Sequence, residues 1–288
     1  MGFDRVIENS LDANQLSSID TGAEPVGVAS SIALTVGVFS SDIGAQYRMT
    51  TPWLTLREGE FTGISSIMAQ KRNPVGINDV RIAASDTLGL ATIYLFKAHN
   101  APHGVPDYKG NDPMHALARA ADTLARLSAA VGQLKFNEQR ALEEINADYA
   151  TTTELADILQ RDADVRFRVG HHFASDLVTY GRGKGLRPSQ IPFAVAQEIY
   201  AKASDHFGRS EKRLSLDEAS FRRAFTPENM VRSSRGLGGP QPAEVRRMLE
   251  AQRKQLAADR AWIVERETKL AAASARLEQA FVSLRERQ

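Results

Sequence analysis

Cysteine is absent from all 288 residues, so disulfides, thiolate nucleophiles and cysteine-bound zinc are excluded. Net charge is nearly absent too: 36 Lys and Arg stand against 35 Asp and Glu, leaving +1. That balance argues against a nucleic-acid or membrane-surface protein, whose partners demand a basic excess. No apolar leader opens the chain, because "MGFDRVIENS" turns polar within four residues, where a secretory signal needs an apolar core. Gly2 does not start a myristoylation motif, since Val6 stands where Ser or Thr is required. The most apolar run, Gly27–Phe39, has 13 residues and includes several Ser and Thr. It is too short for a bilayer span and reads as a buried helix. These absences point to a cytoplasmic protein with no nucleic-acid partner and no membrane.

What is present suits an ordinary globular protein: 42% apolar and 25% charged residues, in a chain long enough for one large or two modest domains. Almost every segment reads as helix. Glu24 to Tyr47 is one apolar-rich stretch, and Pro74 to about Lys97 is a second, carrying Val80, Leu88, Leu90, Ile93 and Leu95. Asp112-Pro113 opens a third, because proline suits the first helical turn, where its missing N–H costs nothing. Leu117, Ala120, Ala121, Leu124, Leu127, Val131 and Leu134 then follow a helical stripe. Thr151 with Glu154 and Ser215 with Glu218 have capping-box spacing, each marking a helix start. "RGLGGPQP" (Arg235 to Pro242) is a loop by its glycines and prolines.

A single helix runs from there to the C-terminus. Leu249, Leu256, Ile263, Leu270, Leu277 and Leu284 recur every seven residues, while the other heptad position is mostly polar (Gln252, Asp259, Arg266). Such a one-sided seam packs on something, but not as a free-standing coiled coil. No strand pattern of useful length appears. The predicted fold is all-α: residues 1–140 form part of a long helical bundle, and residues 141–288 a small helical domain ending in the heptad-patterned helix.

The stretch "TGISSIMAQKRNP" (Thr62 to Pro74) carries the chemistry. Gly63 to Lys71 has the composition of a mobile polar loop, and Asn73-Pro74 reads as N-cap and first helical residue. Lys71, Arg72 and Asn73 would then gather at the positive end of a helix, an anion site suited to a carboxylate or phosphate. Ser65 or Ser66 beside that charge would ionise at lower cost. The plain alternative is a capped helix with solvated basic residues.

"SSIMAQKRNP" also resembles the signature loop of the fumarase and argininosuccinate lyase superfamily, Gly-Ser-Ser-x-Met-Pro-x-Lys-x-Asn. "NSLDA" (Asn9 to Ala13), "YATTTELADIL" (Tyr149 to Leu159), "FRVGHH" (Phe167 to His172) and "PENMVRSSRGLGGPQPAEVRRML" (Pro227 to Leu249) are similar, in order, to further argininosuccinate lyase segments. The resemblance is to the C-terminal two thirds of that family, with the N-terminal part absent. It implies a homotetramer around a helical bundle, and β-elimination of an N-substituted aspartate or succinyl adduct to release fumarate, without metal or cofactor. It gives Ser65 the role of base, and Ser66, Lys71 and Asn73 the binding of a small-molecule carboxylate substrate. "NAPHGVPDYKGND" (Asn100 to Asp112) stands where the family holds its leaving group, and offers His103, Tyr108, Lys109 and Asn111. Tyr108 and Lys109 are the substrate-binding candidates there.

Three positions depart from the family pattern. Ile64 stands for glycine and stiffens the loop, Ala69 stands for proline, and Asn78 replaces a glutamate whose charge an amide lacks. None of His99, His103, His115, His171, His172 and His206 lies in the family's catalytic histidine motif. Two functions remain open at this point. One is a carbon–nitrogen lyase whose N-terminal part is supplied by a separate polypeptide. The other is an inactive remnant serving as a helical oligomerisation module.

Overall fold

The structure is a computed structural model, and it describes residues 5, 8–9, 19–99, 101–102 and 110–285. The chain divides into two compact units, at Ala141 and Leu142. The first is built on three long helices: α1 (Asp20–Gln46), α2 (Val75–Ala98) and α3 (Asp112–Val131).

Each helix buries one seam with alternating steps of three and four residues. In α1 the seam is Val26, Ala29, Ala33, Val36, Ser40 and Ile43. In α2 it is Ile77, Val80, Ala84, Thr87, Ala91, Tyr94 and Ala98. In α3 it is Pro113, Ala116, Ala120, Thr123 and Ala130, with the half-buried Leu127 completing the step between the last two. That spacing keeps a single face turned toward neighbouring helices. Alanine dominates it, and small side chains let the helices approach closely. The leucine stripe expected along α3 is therefore off the seam: Leu124 and Val131 are exposed, and Leu134 lies beyond the helix in a strand. Large side chains fill the margins instead, with Leu117 and Leu127 packed at the edges of the two cores of this unit.

Two threonines interrupt the seam without leaving an unmet polar group. The buried Thr87 and Thr123 hydroxyls meet across α2 and α3 at 3.0 Å. Each also lies within hydrogen-bond distance of the carbonyl one turn back, Ala83 at 2.9 Å and Arg119 at 2.8 Å. With two hydroxyls and two carbonyls, one hydroxyl proton serves the cross-helix contact while the other serves its own turn. On the surface Arg119 bridges Asp86 and Asp122, and Arg126 bridges Asp79 and Asp122. Such exposed pairs orient helices more than they stabilise them.

The run Gly27–Phe39 belongs to a longer helix than its own 13 residues. α1 spans 27 residues, reaches a mean hydropathy of 1.5, and is long and apolar enough to cross a membrane. Run length is thus no argument against a span; what α1 does show is a seam packed into two apolar cores with α2 and α3 while Val28, Leu34, Val38 and Phe39 stay exposed.

Short strands add what periodicity did not predict. β1 (Leu54–Leu56) pairs antiparallel with a strand at Leu134–Phe136, and β2 (Gly63–Ile64) pairs antiparallel with β3 (Arg72–Asn73). Segments of two or three residues are too short to show an alternating pattern. The Leu134–Phe136 strand is β4, and α4 (Glu138–Ala147) follows it.

The second unit packs α5 (Thr153–Ala163), α6 (Phe167–Lys184) and α7 (Phe193–His206) with the short α8 (Glu218–Ala224) and α9 (Pro227–Ser233). Its core joins Leu155, Leu159, Phe173, Leu177, Tyr200 and Phe221. Phe173 meets Tyr200 edge to face at 5.4 Å, and Phe221 meets Phe225 likewise at 4.9 Å, the arrangement aromatic quadrupoles favour. Both expected capping boxes are replaced. Thr152, not Thr151, precedes α5 and gives no side-chain cap, while Glu154 is buried and pairs with Arg161 at 3.3 Å. α8 is capped by Asp217, whose carboxylate accepts the Ser220 N–H at 2.7 Å. That bond, ahead of the other influences, lowers the Asp217 pKa.

The last helix, α10 (Pro242–Arg285), is 44 residues long. Among its described residues only Ala273 is buried, and its leucine seam stays 44–62% exposed from Leu249 to Leu284. The surface expected to pack is thus uncovered within the chain.

Close approach of α5 and α6 depends on Gly170. A Cβ there would sit 2.9 Å from the Ala156 Cα, a backbone atom with no room to yield. Gly170→Ala is expected to destabilise the 142–285 unit by about 1–3 kcal/mol, read as a lowered urea midpoint with an unchanged slope.

Candidate active site

The polar stretch that follows α1 is a hairpin, where composition predicted a mobile loop. Gly63 pairs with Asn73 and Ile64 with Arg72. Directly opposed residues of an antiparallel pair share a face, and successive residues alternate. Gly63 and Asn73 thus share one face of the hairpin and Ile64 and Arg72 the other; Ser65 and Lys71 follow directly beyond the last pair, where one more step of the same register would oppose them on the face of Asn73.

The contacts agree with that division. Arg72 turns to Glu58 at 2.8 Å and also donates to the carbonyls of Ala69 at 3.0 Å and Lys71 at 3.3 Å, closing the tip. It is therefore tied into the hairpin and does not join a cationic cluster with Lys71. No side-chain hydrogen bond or ion pair with a described residue engages Lys71 or Asn73. Ser66 is exposed beside Ser65, and Ile67 at the tip is 91% exposed.

Ser65 has a distinct setting. Its Oγ accepts the N–H of Met68 at 3.1 Å and that of Ile67 at 3.3 Å, while Lys71 N–H donates to the Met68 carbonyl at 3.0 Å. Two donors aimed at one hydroxyl oxygen favour its ionised form. They are backbone groups, so their orientation is built into the turn.

The expected N-cap is not formed. Asn73 lies in β3, Pro74 occupies the N-cap, and α2 starts at Val75 with no side-chain cap. Proline cannot donate, and Asn73 is held by its pairing with Gly63, so its amide is left for other partners. Asn78, on the first turn of α2, accepts from Arg81 at 3.2 Å. At the base of the hairpin Gly76 N–H donates to the Phe61 carbonyl at 3.1 Å.

Tyr47 is a supporting residue that sequence patterns did not mark. Its hydroxyl accepts the Leu56 N–H at 2.7 Å, and burial, outweighing its hydrogen bonds to Leu56 and Thr62, raises its pKa. Glu58, the partner of Arg72, was missed for the same reason: no local spacing announces a contact between residues 14 apart. Tyr108, Lys109 and His103 lie outside the described residues, as do Ser10 to Ala13 of the "NSLDA" segment.

The histidines form a different grouping. His172 stacks on His206 at 4.9 Å, both meet the edge of Phe207, and His172 lies 3.5 Å from Asp176. Among the described residues no group of three His, Asp or Glu side chains is placed to hold a metal ion.

Residues 149–232 match the family model described as argininosuccinate lyase C-terminal. Along the chain, argininosuccinate lyase 2 of Agrobacterium fabrum is 34% identical over 225 residues, which cover 77% of this chain and 44% of that protein. The argininosuccinate lyase of Methanothermobacter thermautotrophicus is 30% identical over 270 residues, 90% of this chain and 54% of that protein. The chain resembles the argininosuccinate lyases. It spans about half the length of the curated relatives it matches. Among solved structures, EDDS lyase in complex with formate superposes with a TM-score of 0.75 at 24% identity, over 94% of this chain and 53% of that one. A class II fumarase from Schistosoma mansoni gives 0.52 at 15% identity, over 70% of this chain and 38% of that one. At those identities the likeness is one of fold, and it supports the all-α architecture.

Replacing Arg72 tests whether its three contacts hold the tip. Arg72→Ala should speed hydrogen exchange at the Met68 and Lys71 amides several-fold while leaving the thermal midpoint nearly unchanged, as expected for an exposed pair.

Proposed function

We propose that the 63–73 hairpin is the proton-abstracting loop of a carbon–nitrogen lyase that eliminates across an N-substituted aspartate or succinyl adduct and releases fumarate. The observation that supports this most directly is the hairpin, whose register, extended one step past its last pair, would set Ser65 and Lys71 on the face of Asn73, while Arg72 is tied to Glu58. The resemblance to argininosuccinate lyases supports the reaction class.

The chemistry asks for three things, and this face offers two. The Cβ proton is weakly acidic, so the base has to be strong. Ser65 as an alkoxide, supported by the Ile67 and Met68 N–H groups, takes that proton. The electron pair flows into the adjacent carboxylate, which becomes an aci-carboxylate dianion. The Lys71 ammonium and the Asn73 amide bind it as charge builds, a fixed electrostatic effect that needs no reorganisation. Collapse of the dianion forms the Cα–Cβ double bond and breaks the C–N bond, and the amine leaves with a proton from a general acid. Ser66 joins in substrate binding, and Tyr108 and Lys109 belong to the leaving-group side. The other walls of such a site come from the N-terminal half of the lyase, joined to this chain or supplied in trans.

The bundle supports a homo-oligomer, and a tetramer is the expected form. Val28, Leu34, Val38 and Phe39 of α1 and Ile82, Ile93, Leu95 and Phe96 of α2 are exposed apolar side chains on helices whose other faces are already packed. Apolar surface of that extent calls for other copies to cover it. Sedimentation should give a tetramer, and a stable monomer would count against this part of the reading.

A second reading, an inactive oligomerisation module, is favoured by the loop departures: Ile64 is 76% exposed where the family has glycine, and Asn78 lacks a carboxylate. Mixing the chain with the N-terminal half of a related argininosuccinate lyase, and following fumarate absorbance with argininosuccinate and other N-substituted aspartates, separates the two. On the lyase reading Ser65→Ala lowers kcat by roughly 10²–10⁴-fold with little change in KM, and Lys71→Ala raises KM. Full activity in Ser65→Ala would remove the serine from its role. No fumarate from any combination would favour the inactive module.

A further inference from the structure

Between the end of α9, the glycine-rich loop after it and the start of α10 lies an open groove of about 780 Å³, within the 142–285 unit. That volume falls in the range of small-molecule sites. Leu142 and Val231 form part of its apolar surface, and three arginines line it: Arg232 on α9, Arg235 in the loop and Arg246 on α10.

Among the described residues these arginines differ from their neighbour Arg247 in having no ion-pair partner. Arg247 is held by both oxygens of Glu244, at 2.6 and 2.8 Å. Glu244 also accepts the Gly238 N–H at 2.8 Å. Together, with Arg247 the larger influence, these contacts hold the Glu244 carboxyl down to about 2. The Glu244 carboxylate is therefore already committed. No ion pair with a described residue engages Arg232, Arg235 or Arg246, and the one carboxylate lining the groove, Glu228, leaves it with a positive excess.

The backbone that carries the arginines is firmly built. Thr226 caps α9 by accepting the Asn229 N–H at 3.3 Å, and Ser234 Oγ donates to the Met230 carbonyl at 2.7 Å. Gln241 Nε2 donates to the Arg232 carbonyl at 2.8 Å, tying the start of α10 to the end of α9. The loop turns at Gly238 with φ +77°, a conformation that glycine adopts without strain.

We infer that this groove binds a small organic anion that joins a phosphate or carboxylate group to an apolar or flat body. Guanidinium forks bind such groups through paired hydrogen bonds, the apolar surface covers the body, and Glu228 accepts from an N–H or O–H on it. None of these residues belongs to the hairpin, so the inference stands apart from the lyase chemistry.

Titration calorimetry on the full chain provides the test, with adenosine monophosphate and phenyl phosphate as probes. Each carries charge and body, and at least one should bind saturably at one site per chain. Adenosine and phenol, which lack the charge, should not bind, and pyrophosphate, which lacks the body, should bind more weakly. Arg235→Gln with Arg246→Gln should weaken binding by roughly tenfold or more for each arginine removed, with circular dichroism melting unchanged because both side chains are outside the core. The inference is overturned if neither ester binds saturably, if the double variant binds as well as the parent, or if a single-stranded oligonucleotide binds more tightly than both esters.

Discussion

Two backbone pairings, Gly63 with Asn73 and Ile64 with Arg72, decide which side chains of the polar loop face together. Everything proposed for the chemistry follows from that register. A slip of one residue would move Lys71 and Asn73 to the opposite face from Ser65 and bring Arg72 round in their place. The slip is opposed from both sides of the hairpin. Arg72 is anchored by Glu58 and by two carbonyls of the tip, and Gly76 is bonded to Phe61 across the base.

The hairpin in turn depends on the helix that follows it. α2 begins two residues after Asn73, and of its first buried residues Gly76 lies against Phe61 while Ile77 opens its packed seam. The loop therefore leaves a fixed point in the bundle. A small two-stranded element could not hold its shape alone in water. Joined to a packed helix at one end and to the Tyr47 and Leu56 contact near the other, it needs few bonds of its own.

Much of the architecture was legible in the sequence, and the reasons for the exceptions are physical. The helices announced themselves by periodicity, and Asp112-Pro113 and the glycine-rich loop before Pro242 marked boundaries correctly. The seam of α3 was misjudged because leucine draws the eye, while close packing selected alanine one position away. Caps failed where two candidates lay side by side: Asp217 took the role given to Ser215 because its carboxylate reaches the Ser220 N–H. At the candidate site, residue types and the serine-lysine-asparagine set were visible in "SSIMAQKRNP". The hairpin that carries them was not, since strands of two residues leave no periodic trace. Tyr47 and Glu58 were invisible because their partners are distant in sequence.

An alanine-rich seam has a weakness of its own. Ala84, Ala91 and Ala98 of α2 recur every seven residues, so at those positions apolar packing alone distinguishes poorly between alternative alignments of α2 and α3. Thr87 and Thr123 remove that ambiguity. Sliding by one heptad would set Thr87 against Ala116 or Ala130 and Thr123 against Val80 or Tyr94, and break their 3.0 Å contact, in the way a single polar residue sets the alignment of a coiled coil. The threonine pair thus acts as an index mark along the bundle, and through α2 it sets the height at which the hairpin emerges.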